Sequence, residues 1–133
     1  MPIKSPTIYT DGASLGNPGP SAIGAVIKDE RGRRIAEISQ SIGQATNNQA
    51  EYRAIIAALE KAIELGVNRS DIYSDSELLV EQINERYRVK NAALKPLYQK
   101  VKQLQSQLEG STITWVPGRE NTEAHNLASK ALS

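Results

Sequence analysis

The stretch TIYTDGASLGNPGPSAIGAVIKDERGRRIAEISQSI, residues 7–42, decides the fold. Thr7 to Thr10 is a short β-prone run that stops at Asp11-Gly12, a pair that signals a turn. Gly12 to Pro20 is rich in Gly, Asn, Ser and Pro and reads as a loop. Ala22 to Lys28 reads as a second strand. Asp29-Glu30-Arg31-Gly32 then turns the chain back into a third, Arg33 to Ile42, where Ala36, Ile38, Gln40 and Ile42 share one face. Connections this short leave no room for crossovers, so the three strands form an antiparallel meander.

Beyond the meander the hydrophobic period changes from two to between three and four. Ala50, Ala54, Ala57 and Ala58, with Ile55, Leu59 and Ala62, predict a helix from Asn48 to Leu65, which Gly66 stops. Asp71 to Ser74 is a short strand, and Ser76 to Asn84 a helix with Leu79, Val80 and Ile83 inward. A third helix, Ala92 to Leu108, carries Leu94, Leu97, Val101, Leu104 and Leu108 on one stripe. That stripe lasts little over two heptads, so it is core contact and not a partner seam. Thr112 to Val116 is the last strand and Asn121 to Leu132 the last helix. The order β-β-β-α-β-α-α-β-α implies an α/β fold with a five-stranded mixed sheet and helices on its faces.

The 133 residues are expected to form one domain, residues 1–133, large enough to bury a core unaided. With no cysteine, disulfides, zinc-thiolate sites and thiol catalysis are excluded, and one histidine rules out a multi-histidine metal site. The apolar runs are too short to span a bilayer, and Met1-Pro2-Ile3-Lys4 lacks the hydrophobic stretch of a signal peptide. The expectation is a cytoplasmic monomer with no membrane association and no obligate protein partner. Net charge is +1, but it is unevenly spread. Arg86, Arg88, Lys90, Lys95, Lys100 and Lys102 follow one another without an intervening acid, with Tyr87 and Tyr98 among them. By itself this is a solvated helix face; beside a site for phosphate chemistry it becomes a surface for a nucleic-acid backbone.

Three acids stand out by position. Asp11 follows a strand that should be central, Glu51 lies in the first turn of its helix, and Asp75 precedes Ser76 as a helix N-cap would. A turn, the helix dipole and capping explain each one singly. Together they lead elsewhere, because ligands in open sheets gather beyond the strand ends where the topology switches. Three carboxylates gathered there repel one another unless a cation lies among them. Oxygen ligands without thiols favour Mg²⁺ or Mn²⁺ over zinc.

Four stretches in order resemble ribonuclease H type 1 over essentially the whole chain. They are Tyr9-Thr10-Asp11-Gly12-Ala13-Ser14-Leu15-Gly16-Asn17-Pro18-Gly19-Pro20, Thr46-Asn47-Asn48-Gln49-Ala50-Glu51, Ser74-Asp75-Ser76-Glu77, and Trp115-Val116-Pro117-Gly118-Arg119-Glu120-Asn121 followed by Ala124-His125-Asn126-Leu127-Ala128. The resemblance implies a ribonuclease H-like fold, with three antiparallel strands then two parallel ones. It also implies an endoribonuclease that hydrolyses the RNA strand of RNA–DNA hybrids, leaving 5′-phosphate and 3′-hydroxyl ends. Two ions, Mg²⁺ or Mn²⁺, would lie in the site of the substrate complex. Asp11 would bridge both, and Glu51 and Asp75 would hold the one on the leaving-group side. Gly12, Ala13, Ser14 and Gln49 fall inside the substrate-binding motifs. Asn17 and Thr46 match positions that grip a DNA-strand phosphate, and Asn47 and Asn48 match readers of the minor groove.

The departures are as informative. His125 occupies the place of the family's fourth acid and is expected to join the metal site, one negative charge short. Glu123 cannot replace it, since two residues along a helix is a rotation of roughly 200°. Arg119 stands in a loop where many bacterial members carry a histidine, and Glu77 replaces an amide. The segment Arg86 to Lys95 is too short for the family's basic protrusion, which leaves hybrid binding to Arg86, Arg88, Lys90 and Lys95. No accessory hybrid-binding domain is expected within these 133 residues. An alternative is a catalytically weakened hybrid-binding module, silenced by His125. A DNA-cutting relative on the same fold is a third reading.

Overall fold

The chain runs β1 (Thr7–Ser14), β2 (Gly19–Lys28), β3 (Arg34–Ala45), α1 (Asn47–Glu64), β4 (Arg69–Ser74), α2 (Glu77–Ile83), α3 (Lys95–Ser106), β5 (Gly110–Trp115), a 3-10 turn at Gly118–Glu120 and α4 (Thr122–Leu132). These elements come from a computed structural model that describes residues 5–132; the reading of Met1-Pro2-Ile3-Lys4 lies outside them. The sheet order is β3-β2-β1-β4-β5. Strands β1, β2 and β3 are antiparallel neighbours, β4 runs parallel to β1, and β5 parallel to β4. Among the described residues no helix is long and apolar enough to cross a membrane.

The two faces of the sheet are covered unequally. On one, Ile8, Ala25, Ile27 and Ile72 meet Tyr52, Ile55 and Leu59 of α1, with Leu79 and Ile83 of α2 and Val101 and Leu104 of α3 in the same cluster. The Tyr52 hydroxyl donates to Gln82 Oε1 at 2.7 Å, tying α1 to α2 inside the core. On the other face α4 packs on β1, β2 and β3. Here Ala124 and Ala128 are fully buried.

Several boundaries differ from expectation, for tertiary reasons. Strand β1 does not end at Asp11. It continues to Ser14, because Gly12, Ala13 and Ser14 pair with Ile23, Ala22 and Ser21 of β2. The Asp11-Gly12 pair is therefore strand and not turn. Thr46 caps α1, so Glu51 is its fifth residue and the first turn holds no acid. Asp75 is not the cap of α2; Ser76 is, and its N–H is met by Ser74 Oγ at 3.1 Å. Helix α3 begins at Lys95, with Asn91 Oδ1 accepting the N–H groups of Ala93 at 2.8 Å and Leu94 at 3.2 Å just before it.

Candidate active site

Strand β4 stops at Ser74, opposite Thr10, whereas β1 runs four residues further. Asp11 thus lies just past the end of the parallel pairing, and Asp75 just past the end of β4. Two glycines bring helices against this point from both faces. A Cβ on Gly12 would fall within 3.0 Å of the main chain of Ala50 and Glu51, so only glycine lets α1 lie against β1 here. Gly24, the cross-strand partner of Asp11, does the same for α4, since a Cβ there would overlap Ala124 O and Ala128 N. Glu51 and His125 are thereby delivered from opposite sides of the sheet to one buried aspartate.

Asp11, Glu51 and Asp75 each offer a carboxylate oxygen, and these oxygens all lie within 4.8 Å of one another. Gly12 N–H donates to Glu51 Oε1, which fixes that carboxylate against β1. Asp11 is 5% exposed. Burial, then the charge of Asp75, pushes its carboxyl up to about 6, against the opposing hydrogen bond to His125. Burial and the charge of Asp11 push Glu51 well above the ordinary carboxylate range. Three crowded oxygen ligands, two of them reluctant to ionise, fit a divalent cation, whose charge would reverse both shifts.

His125 stands outside that trio. Its Nδ1 lies 3.1 Å from Asp11 Oδ2, and its side chain is 60% exposed. With Nδ1–H donating to the carboxylate, Nε2 is the acceptor nitrogen. Glu123 points to other work: Lys28 and Arg34 both pair with it and hold its carboxyl below the usual range. Those pairs clamp the start of α4 to β2 and β3. On the far side, Gly118 lies 3.5 Å from Asp75 Oδ2, measured from the Cβ position it lacks, so the loop bearing exposed Arg119 borders the site.

The amide residues gather beside the carboxylates in a cavity of about 240 Å³ lined by Asn17, Thr46, Asn48, Gln49, Asn91, Ala93 and Leu94. Thr46 Oγ1 accepts Gln49 N–H at 3.1 Å while Gln49 Oε1 accepts Thr46 N–H at 2.8 Å, a capping box that leaves the threonine hydroxyl hydrogen free to donate. Asn17 Oδ1 accepts Asn47 N–H at 3.0 Å. The carbonyl ends of Asn17 and Asn91 are both engaged, so their NH₂ groups are the ends left for a ligand. Asn47 and Asn48 are exposed at the start of α1. Ser14 Oγ reaches Ala45 O at 3.1 Å, and Ala13 sits in the β1–β2 ladder.

Of the basic residues, Arg88, Lys90 and Lys95 are exposed. Arg86 is instead held in a two-pronged pair by Glu81, at 2.8 and 2.6 Å, which offsets its charge. Sequence reasoning missed Asn91, Asn121 and Gly24. A lone glycine inside a strand pattern signals close backbone approach, and Gly24 could have been found that way.

Carboxylates gathered just past the end of the parallel β1–β4 pairing in a β3-β2-β1-β4-β5 sheet define a ribonuclease H-like domain. The family model described as reverse transcriptase-like matches residues 9–131. The bifunctional protein Rv2228c of Mycobacterium tuberculosis is 44% identical over 126 residues, 94% of this chain and 35% of that protein. Its solved N-terminal RNase H domain superposes with a TM-score of 0.94 at 42% identity, covering 97% of this chain and 99% of that one. Ribonuclease HI of Halobacterium salinarum is 40% identical over 93% of this chain and 62% of its own length. LC11-RNase H1, solved in complex with RNA/DNA hybrid, gives a TM-score of 0.91 at 37% identity, with 96% of each chain covered. The chain belongs to the ribonuclease H type 1 family. It spans about a third of the mycobacterial protein and under two thirds of the halobacterial one.

The raised carboxyls make a stability prediction. A carboxyl whose folded pKa lies above its unfolded value favours the folded state at low pH, and that contribution is lost as pH rises from about 4 through 6. In metal-free buffer Asp11→Asn should therefore be more stable than wild type at pH 8 by about 2–3 kcal/mol, the size of Asp11's shift, and equal to it near pH 3.5. Urea melts in EDTA at the two pH values measure this. Equal midpoints at pH 8 would remove the claim that these carboxylates are crowded.

Proposed function

We propose that this chain hydrolyses the RNA strand of RNA–DNA hybrids in a reaction that requires divalent cations and leaves 5′-phosphate and 3′-hydroxyl ends. The observation that carries this is the trio of Asp11, Glu51 and Asp75 oxygens within 4.8 Å, set beside an amide-lined cavity. The hybrid held by the LC11 relative supports the choice of substrate. We take residues 1–133 as one domain of this kind, since every described element packs on the single sheet or on its helices.

Asp11, Glu51 and Asp75 would hold the cations, Mg²⁺ or Mn²⁺. When bound, such ions lower the pKa of a water and neutralise charge building on the leaving oxygen. Because burial and mutual repulsion hold these carboxyls up, loading with a cation should become more favourable as pH rises. His125 keeps Asp11 oriented through Nδ1 and offers Nε2, on its exposed side, to receive a proton. Asn17, Thr46 and Asn91 present N–H and O–H donors to a backbone phosphate, which fixes the register of the hybrid. Asn47 and Asn48 face the shallow minor groove, where their amides accept from 2′-hydroxyls and donate to base edges. Arg88, Lys90 and Lys95 add charge outside that cavity, and Arg119 lies on the opposite side, next to Asp75.

Cleavage of a hybrid labelled on the RNA strand, with Mg²⁺ or Mn²⁺, tests the reading; matched duplex DNA and duplex RNA are the controls. Hybrid-specific cutting that EDTA stops is the expected result. Folded protein that cuts nothing in either metal, or that cuts duplex DNA equally well, would sink it. A second reading draws on His125 meeting Asp11 while lying outside the carboxylate trio: a hybrid-binding module with weakened chemistry. That form would bind hybrid with strong salt dependence and little turnover.

A further inference from the structure

Asn121 is 1% exposed, between the 3-10 turn and α4. Its Nδ2 donates to Thr10 O at 2.9 Å. Thr10 is the last β1 residue paired with β4, so Asn121 takes over from the sheet where β1 outruns its neighbour. Its main-chain carbonyl accepts His125 N–H at 3.1 Å, and its own N–H donates to Gly118 O at 2.9 Å. One residue thus grips the peptide just before Asp11, starts the helix that carries His125, and closes the loop that borders Asp75.

The state of its other side-chain atom bears on why an amide is there. Asn121 Oδ1 is buried without a hydrogen-bond partner, and it is the one such side-chain atom among the described residues. Burying an acceptor unpaired is unfavourable, so packing alone would be better served by an apolar side chain. The N–H donor to Thr10 O is what an apolar residue would lack. We propose that Asn121 is a positioning residue: its amide and its carbonyl together set the spacing of Asp11 and His125 at the candidate cation site. This rests on the reading of the site as a cation-dependent nuclease.

The test compares Asn121→Ala, and Asn121→Asp, with wild type. The aspartate keeps the shape but turns an acceptor towards the Thr10 carbonyl. Two quantities are read: kcat and KM on a labelled hybrid, and the Mn²⁺ concentration giving half of the thermal shift without substrate. Both variants should lose about 10- to 100-fold in kcat with KM nearly unchanged, as misplacing a reacting group does. Their Mn²⁺ midpoints should move several-fold upward. A kcat and an Mn²⁺ midpoint both within about twofold of wild type would overturn the proposal, as would an effect on KM alone. If both variants unfold, Asn121 serves stability only, and the proposal fails. Should wild type itself not cut the hybrid, the nuclease reading fails, while the Mn²⁺ midpoints still decide the role of Asn121.

Discussion

Replacing Asp11 by Asn abolishes hydrolysis of the hybrid, with a loss of about a thousandfold or more, or about 4 kcal/mol of barrier. No other side chain at the site touches as much. It is the buried member of the trio, its charge raises Glu51, and it alone meets His125. Asparagine matches it in size and still accepts from His125 through its amide oxygen, so the loss comes from charge and not from packing. The variant should also be the more stable protein at pH 8 without metal, which separates lost chemistry from lost folding. Single-turnover rates in Mg²⁺ and Mn²⁺, with circular dichroism on the same samples, measure it. Retention of more than about a tenth of the wild-type rate would place the cation site elsewhere.

His125→Asp raises the Mg²⁺-dependent rate by about tenfold or more, and the Mn²⁺-dependent rate by less, because nitrogen ligands suit Mn²⁺ better than Mg²⁺. The geometry allows a direct exchange. Imidazole Nδ1 and an aspartate oxygen are the same number of bonds from Cα, so the new oxygen would sit about where Nδ1 now lies, 3.1 Å from Asp11 Oδ2. Without a cation, that places two like charges in contact and should lower metal-free stability at pH 8. With one, it adds the negative charge the site lacks. His125→Ala, lacking any ligand atom, should be slower than wild type. Equal rates in all three proteins would make His125 a bystander. Turnover in the aspartate variant alone would favour the hybrid-binding module as the native role.

The alternation in Thr7–Ile42 and the helical spacing that follows made the strand and helix order legible, because burying one face imposes a period that survives in the residue pattern. Errors collected at element ends. Asp11-Gly12 has the chemistry of a turn, yet Gly12 is small to admit α1, and β2 keeps the strand extended to Ser14. Asp75 has the chemistry of a cap, yet the cap is the next residue, which leaves Asp75 free to face Asp11 and Glu51. Local propensity ranks what a residue does with its neighbours in the chain, and at each of these places a partner from another element outweighed it.

By itself, the sequence determined the class of chemistry: three acids and no thiol, at the ends of periodic segments, specify oxygen ligands for a hard cation. It also placed a histidine, His125, where the resemblance leads one to expect a fourth acid. Only the tertiary structure decided that His125 meets Asp11 without joining the trio, that Asn91 lines the amide cavity, that Gly24 admits α4 and that Asn121 ties the start of α4 to the Thr10 carbonyl. Those are distances between elements remote in the chain. They depend on which backbones can touch, and no local pattern of residues encodes that.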